Sequence, residues 1–223
     1  MRTNVLCYNT ITPLLKETLY TLMEESLFTP FRLVGGTNLS LRLGHRLSVD
    51  IDLFTDAPYD SLDYKSFENF LKSKYHYYLS TDPTSMIGFG KGYHIGNSEN
   101  DCIKLDLMYT DPFINDADII DGIRMASIDD IVAMKINAIS RGGRKKDFWD
   151  IYNLFQRYSL REMLDLHEKR HPWEHKEQQL LDSLMDFSEA DTYIDPICMN
   201  GYDWDDIKIA IIEQCLEYRD IKK

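Results

Sequence analysis

The chain has 223 residues, 43% hydrophobic and 12% aromatic, which is enough for one large domain or two small ones with a substantial core. A formal net charge of −12 at pH 7 excludes a protein that coats nucleic acid nonspecifically, because that mode neutralises phosphates with Lys and Arg. No apolar run approaches the roughly 18–20 residues of a membrane span, and no basic segment with an apolar signal core opens the chain, so the expected location is cytoplasmic, away from any membrane.

Cys7, Cys102, Cys198 and Cys215 show no metal or redox spacing and are expected to stay reduced. Charge is unevenly spread: residues 124–176 hold eleven Lys/Arg against eight Asp/Glu, whereas 177–223 hold four against twelve. The acidic tail reads either as a solvated helical surface or as a surface for a basic partner.

Apolar residues recur at helical spacing over 10–27, predicting an amphipathic helix that ends near Phe28-Thr29-Pro30. Residues 31–34 read as a short strand leading to a tight Gly35-Gly36 turn. Residues 37–43 suit a helix closed by Gly44, although the Leu39-Leu41-Leu43 alternation also suits a strand. In 49–54, Val49, Ile51 and Leu53 alternate with Asp50 and Asp52, so both aspartates share one strand face. Like charges so placed repel unless a cation or basic side chain offsets them.

After a turn containing Pro58, residues 62–75 read as a second covering helix. Strands follow at 75–80, 85–89, 92–95 and 102–109, with turns at Asp82-Pro83 and Gly96-Asn97-Ser98. The last strand alternates so that Asp106 and Lys104 share a face. Residues 111–122 are acidic and loop-like, and are expected to close the sheet region. Helices dominate beyond: Ser127 with Asp130 three residues on marks a start, and the helix runs to about Ser140 with Lys135 on its buried face. Residues 141–146 break it, another begins near Asp147, and 160–189 and 203–218 read as helical. The expected fold is therefore α+β: a mixed β-sheet domain with covering helices over 1–123, and a helical domain over 124–223 that contributes to the site.

Asp50, Asp52 and Asp106 can meet if their strands are neighbours, and such a set of hard oxygen ligands suits Mg²⁺ or Mn²⁺. Two such ions activate an attacking hydroxyl and stabilise a leaving pyrophosphate. Backbone N–H groups around Gly35, Gly36 and Thr37 can approach the phosphates of an NTP. Lys135, on an apolar face, either pairs with Asp147 or lines a cavity and binds phosphate. Asp147 is either a helix-start acid that interacts with the N-terminal dipole or with Lys135, or the residue that positions Lys135 or the acceptor. Arg46 and Ser48 can touch triphosphate or ribose, or serve as a turn charge and a strand hydroxyl. His45 has no evident partner, Lys145 and Lys146 are expected in solvent, and 141–146 is the local candidate for an RNA phosphate contact.

The blocks GGTNLSLRLGHRLSVDIDLF (35–54), KLD (104–106), DDIVAMK (129–135) and KDF (146–148) resemble the AbiEii/AbiGii toxin family of the DNA polymerase β-like nucleotidyltransferases. That resemblance spans about residues 31–154. It implies a nucleotidyltransferase domain plus a helical domain, the toxin of a toxin–antitoxin pair linked to phage defence and abortive infection. The implied reaction is NMP transfer from an NTP to an acceptor hydroxyl, at a tRNA 3′ end, with a cognate antitoxin as partner. Position by position, Gly36 and Thr37 would hold phosphates, and Asp50 and Asp52 would bind metal. Asp106 would be the third carboxylate, and Lys135 and Asp147 would complete the site. The wider superfamily usually has serine where Gly36 stands, which leaves phosphate to backbone groups and Thr37. Two other readings are a transferase acting on a small molecule or protein, and a catalytically idle binding module with this fold.

Overall fold

Thr12 and Pro13 form a helix start: Pro at the first helical position needs no N–H partner, and Thr12 Oγ1 accepts from Leu15 N at 3.1 Å. Helix α1 (Pro13–Glu24) follows, flanked by single 3₁₀ turns at Tyr8–Thr10 and Ser26–Phe28, so the expected 10–27 helix is shorter and divided. The computed structural model describes residues 5–81 and 89–221. Its elements continue with β1 (Arg32–Leu33), α2 (Gly35–Leu43), β2 (Asp50–Thr55), α3 (Tyr64–Lys74), β3 (Tyr77–Thr81), β4 (Gly90–Ser98), β5 (Asp101–Tyr109), β6 (Asp118–Ile120) and β7 (Ile123–Met125). The chain ends in α4 (Ile128–Ser140), α5 (Lys145–Leu154), α6 (Leu160–Arg170), α7 (Glu177–Leu184) and α8 (Trp204–Ile221). The Asp82-Pro83 turn and all but the last residue of the expected 85–89 strand lie outside the described residues.

The strands form one mixed sheet in the order β3-β4-β5-β2-β1-β7-β6. Its centre is the parallel pair β2 and β5, in a register that places Asp52 opposite Asp106 and Asp50 opposite Lys104. Ile51, Leu53, Leu105 and Leu107 point to the other face and are buried with Leu15, Leu19 and Leu22 of α1 and Phe67 and Leu71 of α3. Removing such side chains from water is the main force holding these two helices on the sheet. The period-two pattern of β2 thus sends its aliphatics into a core and its aspartates to the opposite face.

Three sequence expectations need correction. The acidic stretch 111–122 does not close the sheet, because Asp121-Gly122 is a hairpin turn with positive φ at both residues (50° and 77°) joining β6 to β7, and β7 pairs with β1. Gly96-Asn97-Ser98 is not a turn but a bulged stretch of β4, and the chain reverses after Ser98. The 160–189 region is two helices, because α6 ends at Arg170 before His171-Pro172 and α7 begins only at Glu177. Helices α4 to α8 enclose a second core in which Trp149 stacks on Trp204, ring centroids 5.7 Å apart, with Phe148 and Phe187 edge-on to it.

Candidate active site

Asp50, Asp52 and Asp106 share the sheet face opposite α1 and α3. Burial, followed by the charges of Asp106 and Asp50, pushes the Asp52 carboxyl up to about 6. The cluster therefore calls for positive charge, and two lysines supply some: Lys104 pairs with Asp106, and Lys146 Nζ lies 3.6 Å from Asp50 Oδ2. The donors are all carboxylate oxygens, which fit Mg²⁺ or Mn²⁺ in type and charge. Among the described residues, however, no three side chains converge into a ready-made metal cage.

The glycine pair is not the loop turn expected from sequence. Gly35 is already the first residue of α2, which runs to Leu43 and ends at Gly44 in the left-handed conformation (φ 68°). Helix propensity argued against glycine there, but position overrides it. Gly35 has φ 67°, and a Cβ on it would lie 2.2 Å from Asp52 Oδ2. The N-cap, Val34, provides no side-chain hydrogen bond to the first-turn N–H groups of α2, which start beside Asp52. At Gly36 a Cβ would lie 2.3 Å from Arg46 Nη2, so the guanidinium occupies the space a serine would need. Thr37 Oγ1 donates to the Asp50 carbonyl and lies 2.8 Å from Ser48 Oγ, which ties the helix start to the aspartate strand.

Arg46, 3% exposed, is held by a carboxylate that sequence reasoning passed over. Its Nε and Nη2 donate to Asp150 Oδ1 and Oδ2 at 2.7 and 2.9 Å. Lys135 Nζ reaches the same residue, 2.6 Å from Asp150 Oδ2, and donates to Asp147 Oδ1 at 2.7 Å. His45, expected to lack a partner, is fully buried with Nε2 2.7 Å from Asp150 Oδ1. Burial alone would raise the Asp150 carboxyl, yet Arg46 and Lys135 hold it well below the usual carboxylate range. The one sequence signal for Asp150 was its spacing: three residues after Asp147, it lies on the same face of α5.

Asp147 also caps its own helix, its Oδ2 accepting from Arg144 N at 3.0 Å, so it is both a helix-start acid and the partner of Lys135. Lys145 is not in solvent: it is 8% exposed, pairs with Asp195 at 2.8 Å and lies over the Trp204 ring. Lys146 is half-buried near Asp50. Arg141, at the start of the basic break, is paired with Glu174. A strap from the C-terminal region closes the back of the site, with Leu47 N donating to Ile197 O and Met199 N to His45 O, both at 2.9 Å.

A mixed sheet whose adjacent strands present carboxylates beside a glycine helix start is an arrangement suited to nucleotide phosphate chemistry. The particular family follows from comparison. Residues 17–199 match the family described as nucleotidyl transferase AbiEii toxin, type IV TA system, and the chain belongs to that family. An uncharacterized protein of Aquifex aeolicus is 31% identical over 160 residues, covering 70% of this chain and 73% of that protein.

Among solved structures, the fold is similar to a putative nucleotidyltransferase from H. pylori, at TM-score 0.56 and 20% identity over 90% of this chain and 92% of that one. It is also similar to MenT4, a nucleotidyltransferase toxin from Mycobacterium tuberculosis, at TM-score 0.55 and 14% identity over 89% and 80% of the two chains. The protein is thus a nucleotidyltransferase enzyme of a toxin family, and no described helix is long and apolar enough to cross a membrane.

Proposed function

We propose that this chain transfers an NMP from an NTP to a hydroxyl at an RNA 3′ end, that of a tRNA, and is restrained by a cognate antitoxin. Halting translation in this way would serve phage defence. The observation that carries the reading is the register of β2 against β5, which sets Asp52 beside Asp106 with Asp50 one pleat away. The N–H groups of Gly36 and Thr37 receive the phosphates at the positive end of α2. Thr37 fixes Asp50 through its carbonyl, and Asp150 fixes Arg46 beneath Gly36, so the phosphate cradle and the carboxylates keep one geometry.

Asp50, Asp52 and Asp106 would hold Mg²⁺ or Mn²⁺, which when bound supplies Lewis-acid activation of the hydroxyl and charge for the departing pyrophosphate. The acceptor oxygen forms a bond to the α-phosphorus, the bridging bond to the β-phosphate breaks, and pyrophosphate leaves. The hydroxyl proton passes to Asp106. Lys146, beside Asp50, offsets negative charge as it gathers.

The test is incubation with each labelled NTP, Mg²⁺ and total tRNA, comparing the wild type with Asp50→Asn and Asp52→Asn. Label on RNA that both variants abolish supports the proposal. Label on protein or a small molecule replaces the acceptor. Absence of transfer with nucleotide still bound identifies an idle binding module.

A further inference from the structure

A cleft of about 440 Å³ forms where the segment after β5 meets the C-terminal end of α6. Its walls include Asp111, Phe113, Lys169, Arg170, His171 and Trp173. Trp173 is 95% exposed, whereas Trp149 and Trp204 are 1% and 9% exposed. An indole left almost wholly in water gains nothing for folding and offers a stacking surface.

The wall is built, not incidental. Arg170 is buried, and its guanidinium donates to the Pro112 carbonyl at 2.7 Å, Thr110 Oγ1 at 2.9 Å and the Asp111 carbonyl at 3.1 Å, and pairs with Asp130. It thereby pins the segment after β5 to the end of α6. His171 is 7% exposed, with Nδ1 3.3 Å from Asp111 Oδ2, and its Nε2 has no hydrogen-bond partner among the described residues. The ring lies against Asp111 with Nε2 closed off from solvent, so it stiffens the cleft wall and does not itself face a ligand.

Burial and the neighbouring Arg170 push the His171 ring down from its ordinary range, which keeps it neutral near pH 7. Lys169 adds an exposed cation at the rim. Phe54 lies on the β2 face that bears Asp50 and Asp52, it and Phe113 both pack against the helical core, and Phe113 N donates to Asp56 Oδ2 at 3.3 Å, so the cleft borders the ends of the two carboxylate-bearing strands. Asp111 follows Asp106 by five residues, a span of roughly 16 Å in extended chain.

We propose that this cleft binds an unstacked base of the single-stranded end of the RNA acceptor, upstream of the 3′ nucleotide. Trp173 stacks on the base, and Lys169 meets the adjoining phosphate. Aromatic stacking with a flanking cation is the general means of holding single-stranded nucleic acid without duplex contacts. The inference rests on RNA being the acceptor, and the experiment separates the two.

A short single-stranded RNA with the sequence of a tRNA 3′ end is titrated into wild type, Trp173→Ala and Trp173→Phe, following tryptophan emission and polarisation of labelled RNA. Transfer kinetics are measured on the same RNA. Stacking predicts quenching of the exposed Trp173 in the wild type. It also predicts an increase of about 5- to 100-fold in Kd and KM for Trp173→Ala with kcat nearly unchanged, and recovery in Trp173→Phe. Transfer to RNA with unaltered KM in Trp173→Ala overturns the cleft and leaves the acceptor assignment standing. Trp173-dependent binding without transfer to RNA upholds the cleft and overturns the acceptor assignment. Absence of RNA binding by the wild type overturns the cleft as well.

Discussion

Gly35 and Asp150 carry more of the site than any other single residues apart from the carboxylates themselves. At Gly35 two effects coincide, a left-handed backbone and a Cβ position 2.2 Å from Asp52 Oδ2. Gly122 has φ 77° but nothing within 4 Å of its Cβ position, so Gly122→Ala isolates the backbone effect. Gly122→Ala is expected to lower stability by about 1 kcal/mol with transfer unchanged. Gly35→Ala should lose about 1–3 kcal/mol and also transfer by about 100-fold or more, because it displaces a carboxylate. Urea unfolding and the labelled-NTP assay measure the two parts.

Asp150 compensates two buried cations, so Asp150→Ala is expected to destabilise by about 3–5 kcal/mol, read by denaturant midpoint. Its carboxyl is depressed in the folded state. Its contribution is therefore present above the ordinary 3.8 and is lost as pH falls below that value toward the folded pKa. In wild type this adds a steep loss of stability in that acidic window, and Asp150→Asn should flatten it.

At the scale of elements, the pieces that sequence made legible were those whose local signals agree with their packing. The β2 alternation, the Ser127 start of α4 and the Gly44 end of α2 all follow from period or cap chemistry alone. The β6–β7 hairpin was lost because three-residue strands carry too little pattern, although Asp121-Gly122 was its turn signal. The start of α2 was misplaced because the reason for glycine there is Asp52, which is seventeen positions away in sequence.

The junction of α4, α6 and the segment before α7 yields a further prediction. His167 is buried with Nδ1 3.1 Å from His175 Nδ1 and Nε2 3.4 Å from Asn137 Oδ1, and burial followed by the charges of His171 and His175 pushes it down to about 4. A protonated ring there is disfavoured in the folded state while the unfolded chain titrates near 6.5. Stability is therefore unaffected above about 6.5 and falls between about 6.5 and 4, by at most about 3 kcal/mol. Thermal unfolding across that range, with His167→Gln showing a shallower decline, checks the sign and the residue.

For the whole molecule, short blocks of sequence sufficed for the family and the fold class, since the carboxylates, Gly35-Gly36 and Lys135 are each set by local pattern. The network beneath them was not legible, because His45, Arg46, Lys135 and Asp150 meet only when α5 crosses behind the helix start and the 197–199 strap pairs with 45–47. A lysine such as Lys145 likewise looks solvent-bound until Asp195 and Trp204 are folded onto it.

The same global view constrains how RNA can be held by a chain of net charge −12. Basic residues described at the cleft and the carboxylates are mostly committed: Arg170 is buried in the cleft wall, Arg32 donates to the Asn115 carbonyl over the Phe113 ring, Lys146 is half-buried near Asp50 and Lys104 is tied to Asp106, while Lys169 is exposed. Three phosphate contacts on a single strand give a slope of about −2 for log Kobs against log salt. Binding carried by stacking in the Trp173 cleft should therefore survive a rise from 50 to 200 mM salt with a loss of about 20-fold or less. Trp173→Ala should lower affinity at every salt concentration while leaving that slope unchanged, because an indole neutralises no phosphate. A slope of about −5 or steeper would instead place the RNA on a broad basic surface and remove the stacking account.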